Sequence, residues 1–154
     1  MTNQKSKAMR YHDYGGPEVL RYEDIDRPVP GEGEILVQVR AVSVNPVDWK
    51  IREGMVRKRI NVPLPVNTCS DLAGDVVGVG PGVTGVTVGQ AVYALIGLWG
   101  AGAEHVAFKA AFAAPKPGSI DYEHAAAVPL VGLTAWQALF EHGCLLYTSD
   151  AADE

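Results

Sequence analysis

The stretch "SVNPVDWKIREG" (43–54) holds the densest set of groups able to do chemistry in this 154-residue chain. A strand-like run ends at Val44, and Asn45-Pro46 then forces a turn, because the residue before a proline avoids the α region. Asn45, Asp48 and Lys50 therefore arrive together at a strand end, and loops held on a rigid scaffold are where functional groups concentrate. Two readings of Asp48 stay open. It is either a functional carboxylate or the cap of a short helix running through Arg52.

Other chemistries find less support. The four histidines, His12, His105, His124 and His142, show no paired metal-ligand spacing, and there is no cluster of thiols. Cys69 and Cys144 give no disulfide framework. Cys69 reads as a small buried hydrophobe, with no basic neighbour in sequence to activate it. "GVGPGVTG" (78–85) places Gly78 and Gly80 in a G-x-G-x-x-G pattern but has Val83 at the third position. It is also flanked by strand patterns on both sides and opens no helix, so it reads as a strand-connecting turn.

The elements that must position Asn45 follow from periodicity. "EILVQVRAVSV" (34–44) alternates as a strand, with Ile35, Val37, Val39 and Ala41 on one face and Leu36 and Val42 partly burying the other. "KAMRYHDY" and "VLRYEDI", separated by "GGP" (15–17), look like the arms of an opening hairpin. "LAGDVVGVG" (72–80), "TVGQAVYAL" (87–95) and "AEHVAFKA" (103–110) are further strands, joined by turns that use many of the 17 glycines and 10 prolines. Such spacing suits a small barrel or a sandwich. After Ser119, an expected N-cap, "IDYEHAAA" predicts a short helix. Leu133, Trp136 and Phe140 recur at helical spacing in a second helix through Glu141, with Gly143 as its closing glycine.

Composition limits the class. The chain is 47% hydrophobic and 20% charged with a net charge of −5, as in a globular protein of one domain. Its basic residues are scattered apart from Arg57-Lys58-Arg59, so no nucleic-acid partner is expected. The N-terminus has no secretory h-region, and the longest apolar run, 91–103, is too short to span a bilayer. No membrane association and a cytoplasmic location are expected.

"DYGGPEVLRYEDIDRPVPGEGEILVQVRAVSVNPVDWKIREG", "LAGDVVGVGPGVTGVTVGQAVYAL" and "AAAVPLVGLTAWQALFEHG" together resemble the N-terminal half of the medium-chain dehydrogenase/reductases, in their zinc-free quinone oxidoreductase-like branch. The resemblance runs over about residues 7–143. It implies a mainly β fold with flanking helices, namely a GroES-like β-barrel over 1–128. Residues 129–143 would then start the helix leading to a Rossmann domain that is absent from this chain. It also implies NADPH or NADH as cofactor, hydride transfer to a quinone or an activated C=C or C=O compound, and a homodimeric parent.

Zinc-dependent members of the superfamily carry metal ligands where this chain has Asn45 and Ser70, and Cys69 falls one residue off the ligand position. The structural zinc lobe is missing, so no zinc is expected. Without a metal, hydrogen bonds must stabilise charge developing on the substrate oxygen, and Asn45 and Lys50 are the candidates, with Asp48 beside them as a catalytic carboxylate. Lys50 stands where many relatives carry a tyrosine, and it can donate a proton if burial lowers its pKa. Thr134 matches a threonine that lies against the nicotinamide, so Asn45 and Thr134 are the expected cofactor contacts. Trp49, Leu98 and Trp99 are the expected substrate-pocket residues.

Residues 144–154, "CLLYTSDAADE", back-translate to a string that resembles a transposon-end adapter used in sequencing libraries. This segment is expected to be translated adapter and not native sequence. The chain alone is then expected to be inactive and to expose apolar surface on the 130–140 helix. The competing readings are a stand-alone GroES-like binding module, a zinc-type alcohol dehydrogenase that has lost its metal, and an enoyl-thioester reductase.

Overall fold

The computed structural model describes residues 4–143, so the expectations about 144–154 and Cys144 lie outside the described residues. Eight strands form two antiparallel sheets. The first sheet is the opening hairpin, β1 (Lys5–Tyr11) against β2 (Arg21–Asp26), with β4 (Val66–Asn67) on the other edge of β1. The second contains β3 (Glu34–Ser43), β5 (Asp71–Val79), β6 (Ala91–Leu95), β7 (His105–Lys109) and β8 (Ala113–Pro115), in the order β7-β3-β5-β6-β8.

The two sheets do not close into a hydrogen-bonded barrel, which corrects that part of the expectation. They meet where Ala8 of β1 bridges Ala103, a single bridge and not a ladder. β3 and β5 are the long central strands of the larger sheet. Ile35, Val37, Leu72 and Val76 from them are fully buried, together with Ala8 from the smaller sheet and Val92 from β6. Burying a side chain of this size contributes about 1.5–3 kcal/mol. Leu36 is buried as well, whereas Val42 is exposed, so the second face of β3 is covered only at its start.

The pairing of β3 with β5 is interrupted twice. Between Leu36 and Val37 the partner skips from Gly78 to Val76. Between Val39 and Ala41 the partners are consecutive, Gly74 and Ala73, so Arg40 is an extra residue on β3. Such a bulge bends and twists a strand locally. Gly74 is required beside this bulge, because an added Cβ would run into the Gln38 backbone carbonyl. After the bulge the register is Ala41↔Ala73, Val42↔Leu72 and Ser43↔Asp71, which brings the ends of the two strands together.

Helices cover the remaining faces. α1 (Pro46–Arg52) inserts Ile51 into a second core with Tyr11, Val62 and Val66. α2 (Tyr122–Ala126) lays Ala125 and Ala126 on Ala73 of β5. Its N-cap is Asp121, whose carboxylate accepts from the His124 N–H at 2.8 Å, and not the expected Ser119. Aspartate takes this position because it both satisfies the free N–H and complements the helix dipole.

α3 (Pro129–Trp136) continues as a π-helix over Gln137–His142, so the predicted helix is present, although its hydrogen bonding changes at Gln137. Gly143 stays in the right-handed region at φ −82°, so it does not act as the left-handed cap expected there. The strand expected from Thr87 begins at Ala91, because residues 87–90 form a tight turn with Gly89 at φ 90°.

Candidate active site

The site is built at the ends of β3 and β5 and the start of α1. Asn45 is extended (φ −116°, ψ 158°), as a residue before proline must be, and Pro46 takes the first helical position, where its missing N–H costs nothing. Asp48 sits in the first turn, and its Oδ2 accepts the Asn45 backbone N–H at 2.6 Å. The N-cap is therefore Asn45, and Asp48 takes the third helical position of a capping box and is not itself the cap. Its other oxygen, Oδ1, accepts from the Ser70 hydroxyl at 3.2 Å.

Asn45 is buried and held from the other side as well. Its amide nitrogen donates to Asp71 Oδ2 at 2.9 Å and to Ser43 Oγ at 3.0 Å, and the Ser43 hydroxyl donates to the same Asp71 oxygen at 2.7 Å. Asp71 and Ser70 are fully buried. Asp71 Oδ1 has no hydrogen-bond partner among the described residues. Two carboxylates thus grip one asparagine, Asp48 by its main chain and Asp71 by its side chain.

Burial raises the Asp48 carboxyl above the usual aspartate range, and the nearby Asp71 adds to the rise. The Asn45 N–H and the Ser70 hydroxyl oppose it by stabilising the anion. Cys69, next to this cluster, adopts the left-handed conformation at φ 63° and is buried in the first core. Burial also raises its thiol, so it remains an unreactive SH group.

The donor set does not fit a tetrahedral zinc. The amide nitrogen of Asn45 faces Asp71, the Ser70 hydroxyl donates to Asp48, and the Cys69 thiol lies against Thr68 Oγ1 at 3.6 Å. No group of three or more His, Cys, Asp or Glu side chains that could hold a metal ion occurs among the described residues.

A cavity of about 480 Å³ adjoins the cluster. Asp48, Trp49, Val44 and Cys69 line one part of it, and Met9 and Tyr22 of the first sheet line another. The remaining expected residues are dispersed. Lys50 is exposed, with its ammonium 5.6 Å from the centre of the Trp49 ring, so the burial that would prepare it as a proton donor is not present. Leu98 is exposed. Trp99 packs against the second core and lines a different cavity, of about 320 Å³. Thr134 is exposed on α3, and its hydroxyl donates back to the Leu130 carbonyl at 2.7 Å. It shares no hydrogen bond with the Asn45 cluster.

Residues 31–118 match the alcohol dehydrogenase GroES-like domain. The chain belongs to this family. Within the medium-chain dehydrogenase/reductase superfamily, the GroES-like chain groups with the quinone oxidoreductases and corresponds to their N-terminal half. It is 33% identical over 145 residues to a chloroplastic quinone oxidoreductase of Triphysaria versicolor, covering 92% of this chain and 44% of the relative. It is 38% identical over 145 residues to an NADPH-dependent alkenal/one oxidoreductase of Arabidopsis thaliana, covering 88% and 37%. Its structure superposes on the Escherichia coli quinone oxidoreductase complexed with NADPH with a TM-score of 0.77 and 32% identity, covering 86% of this chain and 40% of that one. The chain therefore spans less than half the length of these relatives.

Ser43 and Asp71 were not among the expected site residues. Asp71 opens the apolar run "DLAGDVVGV", an unusual place for a carboxylate, and that was the available signal. What it pairs with depends on the β3–β5 register, which no single segment encodes.

Proposed function

We propose that this chain is the N-terminal catalytic half of a zinc-independent, NAD(P)H-dependent oxidoreductase that reduces quinones or activated C=C and C=O compounds. The carrying observation is the buried Asn45 held between Asp48 and Asp71 where zinc-type members of the superfamily bind metal. The named activities of the relatives support the substrate class, and the NADPH complex of the structural neighbour supports the cofactor. When bound, the nicotinamide supplies the hydride.

The chain's own residues orient and polarise. Asn45 gives a fixed, water-poor hydrogen-bonding group at the reacting end, where preorganised donors act most strongly. Trp49 and Val44 give the adjoining cavity an apolar wall suited to a flat, uncharged acceptor. Asn45 and Thr134 are the residues that would touch the cofactor. Because the Thr134 hydroxyl hydrogen is committed to Leu130, its oxygen is left as an acceptor. The parent acts as a homodimer in the cytoplasm.

The test is to express the full-length gene and follow NADPH oxidation with 1,4-benzoquinone and with an alkyl enone. Acceptor-dependent oxidation, reduced at least about tenfold by Asn45→Ala, is the expected result. No acceptor-dependent oxidation overturns the proposal. The 154-residue chain alone should bind NADPH no more tightly than millimolar by calorimetry, and micromolar affinity would show that the half-chain is sufficient.

A further inference from the structure

A carboxylate as deeply buried as Asp71 is costly, and more so with one oxygen unpartnered. Asparagine would fit the same space without the charge, so packing alone gives no reason for aspartate. The triangle with Asn45 gives one. Its sides are 2.7 Å (Ser43 to Asp71), 2.9 Å (Asn45 to Asp71) and 3.0 Å (Asn45 to Ser43), nearly equilateral.

Two consequences follow. Asp71 Oδ2 is the acceptor for both Ser43 and Asn45, so the nitrogen end of the Asn45 amide faces it, and the flipped amide would set oxygen against oxygen. In a nearly equilateral triangle the two acceptors also lie close together as seen from the amide nitrogen, closer than the wide spread of its two hydrogens. One hydrogen lying between Asp71 and Ser43 can serve both, which frees the other for a different partner.

From this we infer that Asp71 is a positioning residue: it fixes the orientation of the Asn45 amide and leaves one amide hydrogen for an acceptor oxygen of the bound ligand. Ser43 braces the arrangement, since its hydroxyl donates to Asp71 while accepting from Asn45. Asp48 plays a separate part, because it holds the Asn45 main chain and leaves the amide free to turn. The inference rests on Asn45 being a ligand contact, as proposed above. It narrows the ligand atom facing Asn45 to an acceptor, such as a quinone or enone carbonyl oxygen.

The two Asn45 amide hydrogens can be observed separately by NMR on ¹⁵N-labelled chain, assigned by their loss in Asn45→Ala. No substrate or cofactor is present, so failure here is distinct from failure of the reductase reading. In the unsubstituted chain the hydrogen facing Asp71 should exchange with water at least about tenfold more slowly than its sibling. In Asp71→Asn, which can donate as well as accept, the difference should fall to within about twofold while the backbone spectrum stays folded. Equal exchange in the unsubstituted chain, or an undiminished difference in Asp71→Asn, overturns the assignment. If Asp71→Asn does not fold, Ser43→Ala decides. It should keep the difference, and losing it there would make Ser43 the positioning residue instead.

Discussion

The cluster around Asn45 and the surface of α3 are opposite solutions to the same problem of unsatisfied groups. At the strand ends, Ser43, Asn45, Asp48, Ser70 and Asp71 are drawn fully or partly out of water and hydrogen-bond to one another, while Asp71 Oδ1 has no partner among the described residues. On α3 and the π-helix that continues it, residues 131–139 are all exposed, with Val131, Leu133, Trp136 and Leu139 among them, and the Trp136 and Phe140 rings lie 4.5 Å apart. The first region is completed by contacts distant in sequence. The second is apolar surface without a cover among the described residues. A hydrogen-bonded cluster fixes geometry by itself, whereas an apolar helix face gains stability only when something is laid on it.

Substitutions should separate the two regions sharply. The largest effect is expected for Asp71→Ala, which leaves Asn45 and Ser43 without their shared acceptor and should lower unfolding free energy by about 2–4 kcal/mol in urea titrations. A loss under about 1 kcal/mol would mean the cluster is not what holds the strand ends together. Gly74→Val should cost about 2 kcal/mol by the same method, since its side chain meets the Gln38 backbone on the paired strand.

Next in size is a pH effect. The Asp48 carboxyl is raised in the folded chain, so the fold binds its proton more readily than the unfolded chain does. The associated stability is full below the ordinary aspartate value of about 3.9 and is lost as pH rises through the higher folded value. Asp48→Asn should remove that decline, seen as a flatter stability curve through mildly acidic pH than in the unsubstituted chain. The same or a steeper decline in the variant would count against it. The smallest effect should come from replacing Leu133, Trp136 and Leu139 together with glutamine, which should change unfolding free energy by no more than about 0.5 kcal/mol per site. The variant should also sediment with less self-association than the parent chain.

What was readable in advance divides along the same line. β3, the opening hairpin and both C-terminal helices could be read because each announces itself within its own segment, by alternation or by helical spacing. Asn45 and Asp48 were readable because Asn-Pro after a strand is a local signal. Asp71 and Ser43 lie 28 residues apart and meet only after the bulge sets the register, so neither segment names the other. The open form of the sheets was also hidden, because whether two sheets join by a ladder or by one bridge depends on distant pairing. Ser119 and Asp121 both suit an N-cap, and the choice between them turned on which could reach the His124 N–H.

Arg40 is one residue more than its partner strand can match. Everything downstream of it on that strand keeps its side of the sheet only because this surplus is retained. A descendant that lost or gained a single residue between Val39 and Ser43 would turn its serine away from its carboxylate, even with every side chain unchanged. In this short run the number of residues is under tighter constraint than their identity.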